Sequence, residues 1–355
     1  MTQFLKKFGP GFLFAGAAIG VSHLVQSTRA GADFGLGLLW ALVLINVIKY
    51  PFFQFGPRYA SATGENLLQG YAKMSKWVLV AYFIITFATM FTIQTAVTIV
   101  TAGIASSLFA SGTLVFWTTA VTSGCFFILL LGKYKVLDSL MKYIVVVLAI
   151  STIAAVILAS TKFEGTLSFQ QIVPKDAMGI AFLIAFMGWM PAPLDIVMFG
   201  SGESFSAKGD VFANQLIGMY TTSLGSWAQW IIGIAALATM FSTTLTTLDA
   251  SPRVMHITSE LLFNKTFKQG YLFWLLILVT GTLSIFFFFV TEMGLLIEIA
   301  TVLSFLTAPF YAIISYILLT GKHTPKEARP SGSLRLFSLL GILILVGFSI
   351  WYLVT

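Results

Sequence analysis

Two hydrophobic segments of this chain are interrupted near the middle by residues that disturb a helix. The first break is the run Gly16–His23, and the second is the run Gly188–Asp195, which contains two prolines. In a bilayer every backbone N–H and C=O group needs a partner within the protein, so unwound backbone survives only where it lines a cavity or is buried. Two such breaks at corresponding places are typical of the binding site of a secondary transporter. The alternative is that glycine and proline serve helix packing here, as they often do in membrane helices.

The composition predicts a protein that crosses a membrane several times. Hydrophobic residues make up 58% of the 355 residues and charged residues only 9%, whereas a soluble domain carries about 25% charged residues. With roughly 20 apolar residues for each span, we expect about ten apolar segments in an all-α, polytopic helical bundle. They lie at 10–29, 35–57, 77–109, 113–131, 139–160, 178–200, 211–245, 271–291, 294–319 and 336–354.

The loop charges predict the orientation of the chain. Its net charge of +7 requires no nucleic-acid partner, because cytoplasmic loops of membrane proteins accumulate Lys and Arg. With the N-terminus in the cytoplasm, the first five segments place most of their basic residues, Lys49 among them, at cytoplasmic ends. A full crossing of segment 178–200 would then put the basic residues from Arg253 to Arg335 outside. We therefore predict that a span is absent or incomplete between residues 178 and 211, in a protein of the cell (inner) membrane.

A series of short motifs begins near the N-terminus and continues through most of the chain. They are Gly9–Leu13, Gly20–His23, Ala30–Gly35, Leu38–Trp40, Met190–Pro191 and the run Ser242–Thr246 followed by Asp249. This series resembles the Nramp family, which comprises proton-coupled transporters of divalent metal ions with the LeuT-type inverted-repeat fold. The resemblance implies one transmembrane domain, in which residues 1–160 form the first five-helix repeat. Residues 176–320 then form a second, incomplete repeat, and residues 336–354 an extra C-terminal helix.

The chain departs from the family pattern at the residues that bind the ion. Gly20 stands at the position of the family's metal-ligating aspartate, and His23 at that of its asparagine. The second break carries Ala192 and Pro193 where the family has histidine and asparagine. The third span contains no acid where the family usually keeps a glutamate. Only residues 196–210 separate the second break from the segment that resembles the eighth span, so one span is missing, which explains the loop charges.

We expect the substrate to lie between the two breaks, near the middle of the membrane. His23 offers a neutral imidazole, a common ligand of transition metals, unless a backbone carbonyl simply satisfies it at the break. Met190 offers a soft thioether, which favours softer metals over Mg²⁺ and Ca²⁺, although methionine also fills space in apolar runs. His23 and Met190 are the candidate metal ligands. The resemblance extends the candidate ion-binding set to Gly20, Ser22, Ala192 and the backbone carbonyl of Met187.

Further polar groups within or near the spans are candidates for a proton path or a gate. Pro191 and Pro193 remove two backbone donors and predict the second helix break. Asp195 follows them and could act as a proton relay or cap a resumed helix. The hydroxyl groups from residue 242 to 247 line either a polar path or an interhelical contact. We assign the candidate path to Asp195, Thr244, Asp249, His256 and Glu298, and expect Glu298 to face the bundle interior.

The resemblance implies secondary active transport of a divalent metal ion of the Mn or Fe type, coupled to protons, with the lipid bilayer as the remaining partner. We expect no enzyme and no cofactor, since the chain has neither a phosphate-binding Gly-Lys-Ser/Thr loop nor a serine-histidine-acid set. The missing carboxylate at the first break leaves two alternatives open. One is a transporter of the same fold for a small organic solute, whose carboxylate could bind at helix N-termini. The other is a membrane protein that does not transport because it lacks a span.

Overall fold

The structure is a computed structural model that describes residues 20, 26–109, 112–132, 150, 157, 168–188, 214–215, 217–218, 221, 225–289 and 293–354. All regular structure in these residues is helical. The helices are α1 (Ser27–Phe34), α2 (Leu39–Thr63), α3 (Leu67–Met74), α4 (Lys76–Phe109), α5 (Leu114–Leu130), α6 (Ala177–Gly188), α7 (Ala228–Phe263), α8 (Gly270–Phe289), α9 (Met293–Thr320) and α10 (Gly332–Val354), with a 3₁₀ turn at Lys326–Ala328.

Six helices within the described residues are long and apolar enough to cross a membrane, namely α2, α4, α7, α8, α9 and α10. The prediction of an all-α, polytopic membrane protein is therefore confirmed. The bounds of α4, α8 and α9 lie within about two residues of the predicted segments. The predicted and observed bounds agree because polar residues or glycine lie at both ends of each apolar run. Such residues are typical of the ends of helices.

The predicted segment 211–245 is wrong at its C-terminal end, because α7 runs on to Phe263. We expected a polar connection after residue 250, yet the helix continues through Pro252. The hydroxyl groups of Thr258 and Ser259 are buried and donate hydrogen bonds to backbone carbonyls four residues earlier. These bonds let polar residues lie inside a helix without leaving a buried donor unpaired. Composition alone therefore mistook the last turns of α7, after residue 250, for a loop.

The helices α4 and α7 form the centre of the bundle. In the most apolar stretch of each helix, 50% of the residues are buried in α4 and 61% in α7, whereas only 22% are buried in α10. Apolar side chains of both helices, such as Val97, Ile104 and Met240, share one buried cluster. Burial of this kind in a membrane reflects close packing between helices, since lipid offers no hydrophobic penalty to exposed apolar groups. The peripheral α10 contacts α2 and α9.

Close backbone contact holds α6 against α9. A side chain at Gly188 would collide with the backbone carbonyl of Thr301 and come within 3.0 Å of the Cβ atom of Phe305. Small residues at helix contacts allow such close approach in membrane proteins. The neighbouring Phe186 and Met187 are almost completely buried in an apolar cluster with residues of α2 and α9. The C-terminal end of α6 therefore lies deep in the protein.

Candidate ion-binding site

Gly20 marks the first break within the described residues. It is buried and lies in a bend, and the helix α1 begins only at Ser27. A Cβ atom at this position would lie 2.9 Å from the Cγ2 atom of Thr243 in α7. Glycine is therefore required for this approach unless the threonine side chain turns away. The first break lies against the Ser/Thr-rich part of α7, as expected for a polar site between the two segments.

Gln26 is a polar residue that the sequence analysis missed. It precedes α1 and is only 2% exposed, yet its Oε1 atom has no hydrogen-bond partner among the residues that the structure describes. An unpaired buried acceptor costs about 1–3 kcal/mol, so such an atom calls for an explanation such as an ion or a water molecule. Its position three residues after His23 was the available signal. The amide oxygen makes Gln26 a candidate ligand at the first break.

The second break has a charged partner. The Nζ atom of Lys49 in α2 donates hydrogen bonds to the carbonyl oxygens of Met187, at 2.8 Å, and Gly188, at 3.0 Å. These contacts join α2 to Met187 and Gly188, the last described residues of α6, and bring a basic side chain inside the bundle to backbone oxygens.

This contact changes the expected role of Met187. A metal ion about 2.2 Å from the Met187 oxygen would lie at most about 5 Å from an ammonium group that is itself 2.8 Å from that oxygen. At an effective dielectric constant of about 20, the repulsion between charges of +2 and +1 at that distance is roughly 7 kcal/mol. In the described residues the carbonyl of Met187 accepts a hydrogen bond from Lys49, and its role as an ion ligand stays a prediction, while the buried Met187 side chain packs in the core.

The position of Lys49 also corrects the loop-charge analysis. We counted it among the basic residues at cytoplasmic ends, but it lies inside the span α2, ten residues after the helix begins at Leu39. The signal for its role was present, because an ionisable residue within a membrane span usually pairs inside the bundle. What the sequence did not provide was the partner, which lies 138 residues further along the chain.

A neutral hydrogen-bond network joins α4 to α7. The Oε1 atom of Gln94 accepts a bond of 2.7 Å from the hydroxyl of Thr247. Its Nε2 atom donates to the hydroxyl of Thr98 at 3.2 Å and to the carbonyl of Thr244 at 3.3 Å. The hydroxyls of Thr101 and Thr244 are 2.7 Å apart. Thr244 therefore belongs to a buried network without a charged member, which favours interhelical contact over a proton path.

Asp249, further along α7, contacts a basic and a phenolic side chain. Its two carboxylate oxygens accept hydrogen bonds from the Nε atom of Arg253, at 2.7 Å, and the hydroxyl of Tyr271, at 2.6 Å. The guanidinium group of Arg253 also lies 5.0 Å from the centre of the Tyr271 ring. This cluster links α7 to α8. A role for Asp249 in a proton path stays a prediction, and it would require this carboxylate to leave its partners.

His256 lies at the contact between α7 and the start of α8. Its Nε2 atom is 3.9 Å from the Oε2 atom of Glu260, and its buried Nδ1 atom has no hydrogen-bond partner among the described residues. A side chain at Gly270 would collide with the imidazole ring. The imidazole therefore packs at this end of α7, and its role as a gate stays a prediction. Glu298 is exposed, which differs from our expectation that it faces the bundle interior.

Most of the proposed ligands cannot be placed. The predicted site residues outside the described part of the chain are Ser22, His23, Met190, Pro191, Ala192, Pro193 and Asp195. Among the residues that are described, three or more His, Cys, Asp and Glu side chains do not gather into a metal site. The described residues therefore show only what lies next to the two breaks. Gly20, beside Thr243, and the amide of Gln26 lie at the first break, and the last described residues of α6 lie at the second.

Long apolar helices that pack around a buried, non-helical glycine are typical of a multispan membrane protein. The comparison with protein families makes the class specific. The family described as natural resistance-associated macrophage protein-like, Nramp, matches residues 11–201 and 196–355. The chain belongs to the Nramp family, whose members are transporters and not enzymes. The family resemblance predicted from the sequence is confirmed.

Known proteins similar to this chain agree with that assignment. A protein of Pasteurella multocida (strain Pm70), described as uncharacterised, is 31% identical over 404 residues, which cover 97% of this chain and 91% of that protein. A manganese transporter of Eremococcus coleocola, in complex with an aromatic bis-isothiourea substituted compound, has a TM-score of 0.68 at 14% identity, covering 96% of this chain and 84% of that one. MhsT in complex with L-phenylalanine has a TM-score of 0.58 at 16% identity, covering 96% and 98%. These similarities confirm the LeuT-like fold.

The comparisons also bear on the missing span. The two matched ranges of the family meet at 196–201, within the part of the chain where the sequence analysis placed the absent span. The alignment with the Pasteurella protein runs over 404 positions, more than the 355 residues of this chain. The relative therefore contains residues that have no counterpart here. Both findings agree with a Nramp protein that lacks a segment after the second break.

Proposed function

We propose that this protein is a secondary active transporter of divalent metal ions, with its binding site between the two breaks. The observation that carries the proposal is the match of the Nramp family to both halves of the chain. The manganese transporter named among the solved structures supports a metal substrate. The burial of Gly20 against Thr243 supports a site at the first break. Coupling to protons, a cytoplasmic N-terminus, the inner-membrane location and the division into two repeats belong to the same proposal.

The ligands that we propose come mainly from the first break. His23 supplies an imidazole nitrogen and Gln26 an amide oxygen, while Met190 supplies a thioether from the second break. A donor set of imidazole nitrogen, amide oxygen and thioether sulfur, without a carboxylate, suits the borderline Fe²⁺ or the soft Cd²⁺ better than Mg²⁺. The unpaired Oε1 atom of Gln26 supports its place in this set.

The test is uptake of Mn²⁺, Fe²⁺ and Cd²⁺ into proteoliposomes, with and without an inward proton gradient. We expect saturable uptake by the wild type that His23→Ala abolishes and Gln26→Leu weakens. His323→Ala is the matched control, because His323 lies in the connection after α9 and we expect it to leave uptake unchanged. Uptake that responds equally to both histidine substitutions, or no uptake by folded protein, would contradict the proposal.

A second candidate function is the transport of a small organic acid. The observation that favours it is the ammonium group of Lys49 at the end of α6, because a positive charge attracts a carboxylate and repels a metal ion. The similar structure of MhsT with L-phenylalanine adds support from the fold. Competition separates the two functions: divalent ions inhibit uptake of the true substrate if the site binds metal, and amino acids or other small carboxylates inhibit it otherwise.

The missing span gives a third test, which concerns topology. We expect a cysteine at position Ser204 to react with an impermeant thiol reagent from outside the cell and a cysteine at Lys268 to react only from inside. The buried Cys125 provides the unreactive background. The reverse pattern at both positions would contradict the predicted topology, and with it the missing span on which the non-transporting alternative depends.

A further inference from the structure

Three arginines lie near the end of the bundle where α2 ends and α10 begins. Arg58 is in the last two turns of α2, Arg329 follows the 3₁₀ turn, and Arg335 is in the first turn of α10. All three are partly buried, and none forms an ion pair with an acid in the described part of the chain. A charge that is partly withdrawn from water is costly without a counter-charge. These arginines therefore indicate an anionic partner.

The packing of α10 against α2 brings Arg58 to the level of the first residues of α10. The ring centres of Trp40 and Phe348 are 6.3 Å apart. Seven residues earlier in α10, a Cβ atom at Gly341 would lie 2.8 Å from the carbonyl oxygen of Ile48. The two helices are therefore antiparallel, and each rises about 1.5 Å per residue. A further step of the same size along both helices leads to the end of α2 and the start of α10, and the 3₁₀ turn also contacts α2.

The guanidinium groups at this end of the bundle have donors without partners. The Nη1 atom of Arg58 is buried and has no hydrogen-bond partner among the described residues. The Nε atom of Arg329 donates to the carbonyl of Thr324 at 3.0 Å, and that of Arg335 donates to the carbonyl of Pro330 at 2.9 Å. These bonds orient both side chains and leave their terminal nitrogens unbonded to the residues described. Guanidinium groups bind phosphate oxygens through paired, charge-assisted hydrogen bonds, so these donors fit a phosphate group.

An apolar stripe on α10 begins directly after Arg335. It consists of the exposed side chains Leu336, Leu339, Leu340 and Leu343. Their spacing places them on one face of the helix, and α10 is long and apolar enough to cross a membrane. Lipid chains therefore cover this face. Guanidinium donors at one end of a lipid-covered stripe match a phospholipid better than a free phosphate ion.

We propose that Arg58, Arg329 and Arg335 form a binding site for the phosphate group of an anionic phospholipid, whose acyl chains lie along the leucine stripe of α10. Basic pockets between membrane helices bind anionic headgroups in this way, and the first N–H groups of α10 add positive partial charge at the same place. Glu327 is the acid nearest along the chain to Arg329, but it is exposed to water, which screens its charge. The site does not depend on which ion the protein transports.

A diffuse attraction between basic residues and an anionic membrane is the alternative interpretation. Each basic side chain near the surface then contributes alike, about fivefold in affinity, and the exposed Lys322 has the same effect as an arginine. In a defined site, Arg58 contributes much more than Lys322. Lysine at position 58 then restores only part of the binding, because an ammonium group lacks the planar pair of donors.

The experiment measures binding of phosphatidylglycerol to the purified full chain in detergent by native mass spectrometry. Phosphatidylcholine with the same acyl chains is the zwitterionic probe, and inorganic phosphate is the soluble competitor. The variants are Arg58→Gln, Arg58→Lys and Arg335→Gln. The matched control is Lys322→Gln, which removes an exposed charge from the connection that contains Arg329. Gel filtration and the thermal midpoint report which variants are folded.

We expect the wild type to bind phosphatidylglycerol about tenfold more tightly than phosphatidylcholine, with little competition from inorganic phosphate. Arg58→Gln should weaken phosphatidylglycerol binding about tenfold, Arg335→Gln about fivefold and Lys322→Gln less than about twofold, with Arg58→Lys between the wild type and Arg58→Gln. Equal losses in Lys322→Gln and the arginine variants, or equal binding of the two lipids, overturn the inference. Displacement of the lipid by inorganic phosphate also overturns it, because the site then binds a soluble anion. If Arg58→Gln does not fold, the comparison of Arg335→Gln with Lys322→Gln decides.

Discussion

Polar groups lie inside the bundle at both breaks of this protein, and the residues that contact them differ. At the first break Gly20 allows close contact with Thr243 in α7, and the nearby Gln26 keeps an unpaired amide oxygen. At the second, a lysine from another helix binds the last carbonyls of α6. A neutral acceptor attracts an ion, whereas an ammonium group repels a second cation. The comparison supports the proposal that the transported ion binds mainly at the first break.

The interior of the bundle extends this contrast. The network of Gln94 with threonines of α4 and α7 is neutral and buried, and it lies on the side of α7 that carries Thr243. The contact between α2 and α6 contains a formal charge. Polar groups in a membrane interior survive either in neutral networks in which each group is paired or as charges held by backbone dipoles. This protein uses the first solution at α7 and the second at α6.

The largest effect that we expect comes from Gly188→Ala. The new Cβ atom would meet the backbone carbonyl of Thr301 and the Cβ atom of Phe305, neither of which can rotate away. Overpacking of this kind costs about 1–3 kcal/mol, so we expect a clear fall in the thermal midpoint in detergent and loss of uptake. Gly20→Ala meets only the side chain of Thr243, which can turn, and we expect a smaller fall.

The control for both glycine variants is Gly124→Ala in α5, where an added Cβ atom meets nothing within 4 Å. We expect it to leave the midpoint unchanged or to raise it slightly, since alanine is the better helix former. A fall for Gly188→Ala no larger than that for Gly124→Ala would show that the end of α6 is not packed against the backbone of α9.

A second effect, of intermediate size, tests the neutral network. Gln94→Leu removes hydrogen bonds to Thr98, Thr244 and Thr247. Bonds of this kind in membrane proteins contribute about 0.6–1.7 kcal/mol each, and the hydroxyl of Thr247 keeps bonds within its own helix. We expect a loss of about 1 kcal/mol in the free energy of unfolding and no change in the pH dependence of uptake.

Thr280→Val is the matched control, because Thr280 is exposed on α8 and bonds only within that helix. A pH profile of uptake that shifts in Gln94→Leu and stays constant in Thr280→Val would contradict the neutral role of the network. It would return Thr244 to the proton path that the sequence analysis assigned to it.

A third, smaller effect concerns a single hydroxyl pair. Thr244→Val removes the bond of 2.7 Å to Thr101, but the hydroxyl of Thr101 still donates to the carbonyl of Val97. No buried donor is left unpaired, so we expect a loss of about 0.5 kcal/mol, near the lower range for membrane hydrogen bonds. Denaturant titration of the purified protein measures it. A loss larger than that of Gln94→Leu would make this pair, not Gln94, the centre of the network.

Particular residues show how far the sequence could predict the structure. The apolar run of α4 gave its bounds, Lys76–Phe109, almost to the residue, because length and hydropathy decide where a membrane helix lies. The polar residues after Asp249 hid the last turns of α7, where side-chain hydroxyls bond to the helix itself. The contact of Lys49 with Met187 could not be predicted from the sequence, since a contact across 138 positions depends on the fold and not on local spacing.

The smallest effect provides a reference outside the membrane spans, where charge is exposed to water. Glu65 accepts two hydrogen bonds of 2.6 Å from the Nζ atom of Lys73, and this contact, aided by a bond from the hydroxyl of Tyr59, holds the pKa of Glu65 below its usual value. A lowered pKa in the folded state means that the pair stabilises the fold above the unfolded pKa, about 4.3, and that this contribution is lost as the pH falls through the folded pKa.

We therefore expect Glu65→Gln to lower the thermal midpoint slightly at pH 7, and we expect this difference to disappear as the pH falls through the lowered pKa of Glu65, because both proteins then lack the charge at this position. Exposed ion pairs contribute little in water, so the effect at pH 7 should be the smallest of the series. Glu327→Gln, at an exposed position in the 3₁₀ turn, is the matched control and should show no pH-dependent difference. An effect of Glu65→Gln as large as that of Gly188→Ala would contradict this order, because an exposed ion pair would then contribute as much to stability as the buried contact between α6 and α9.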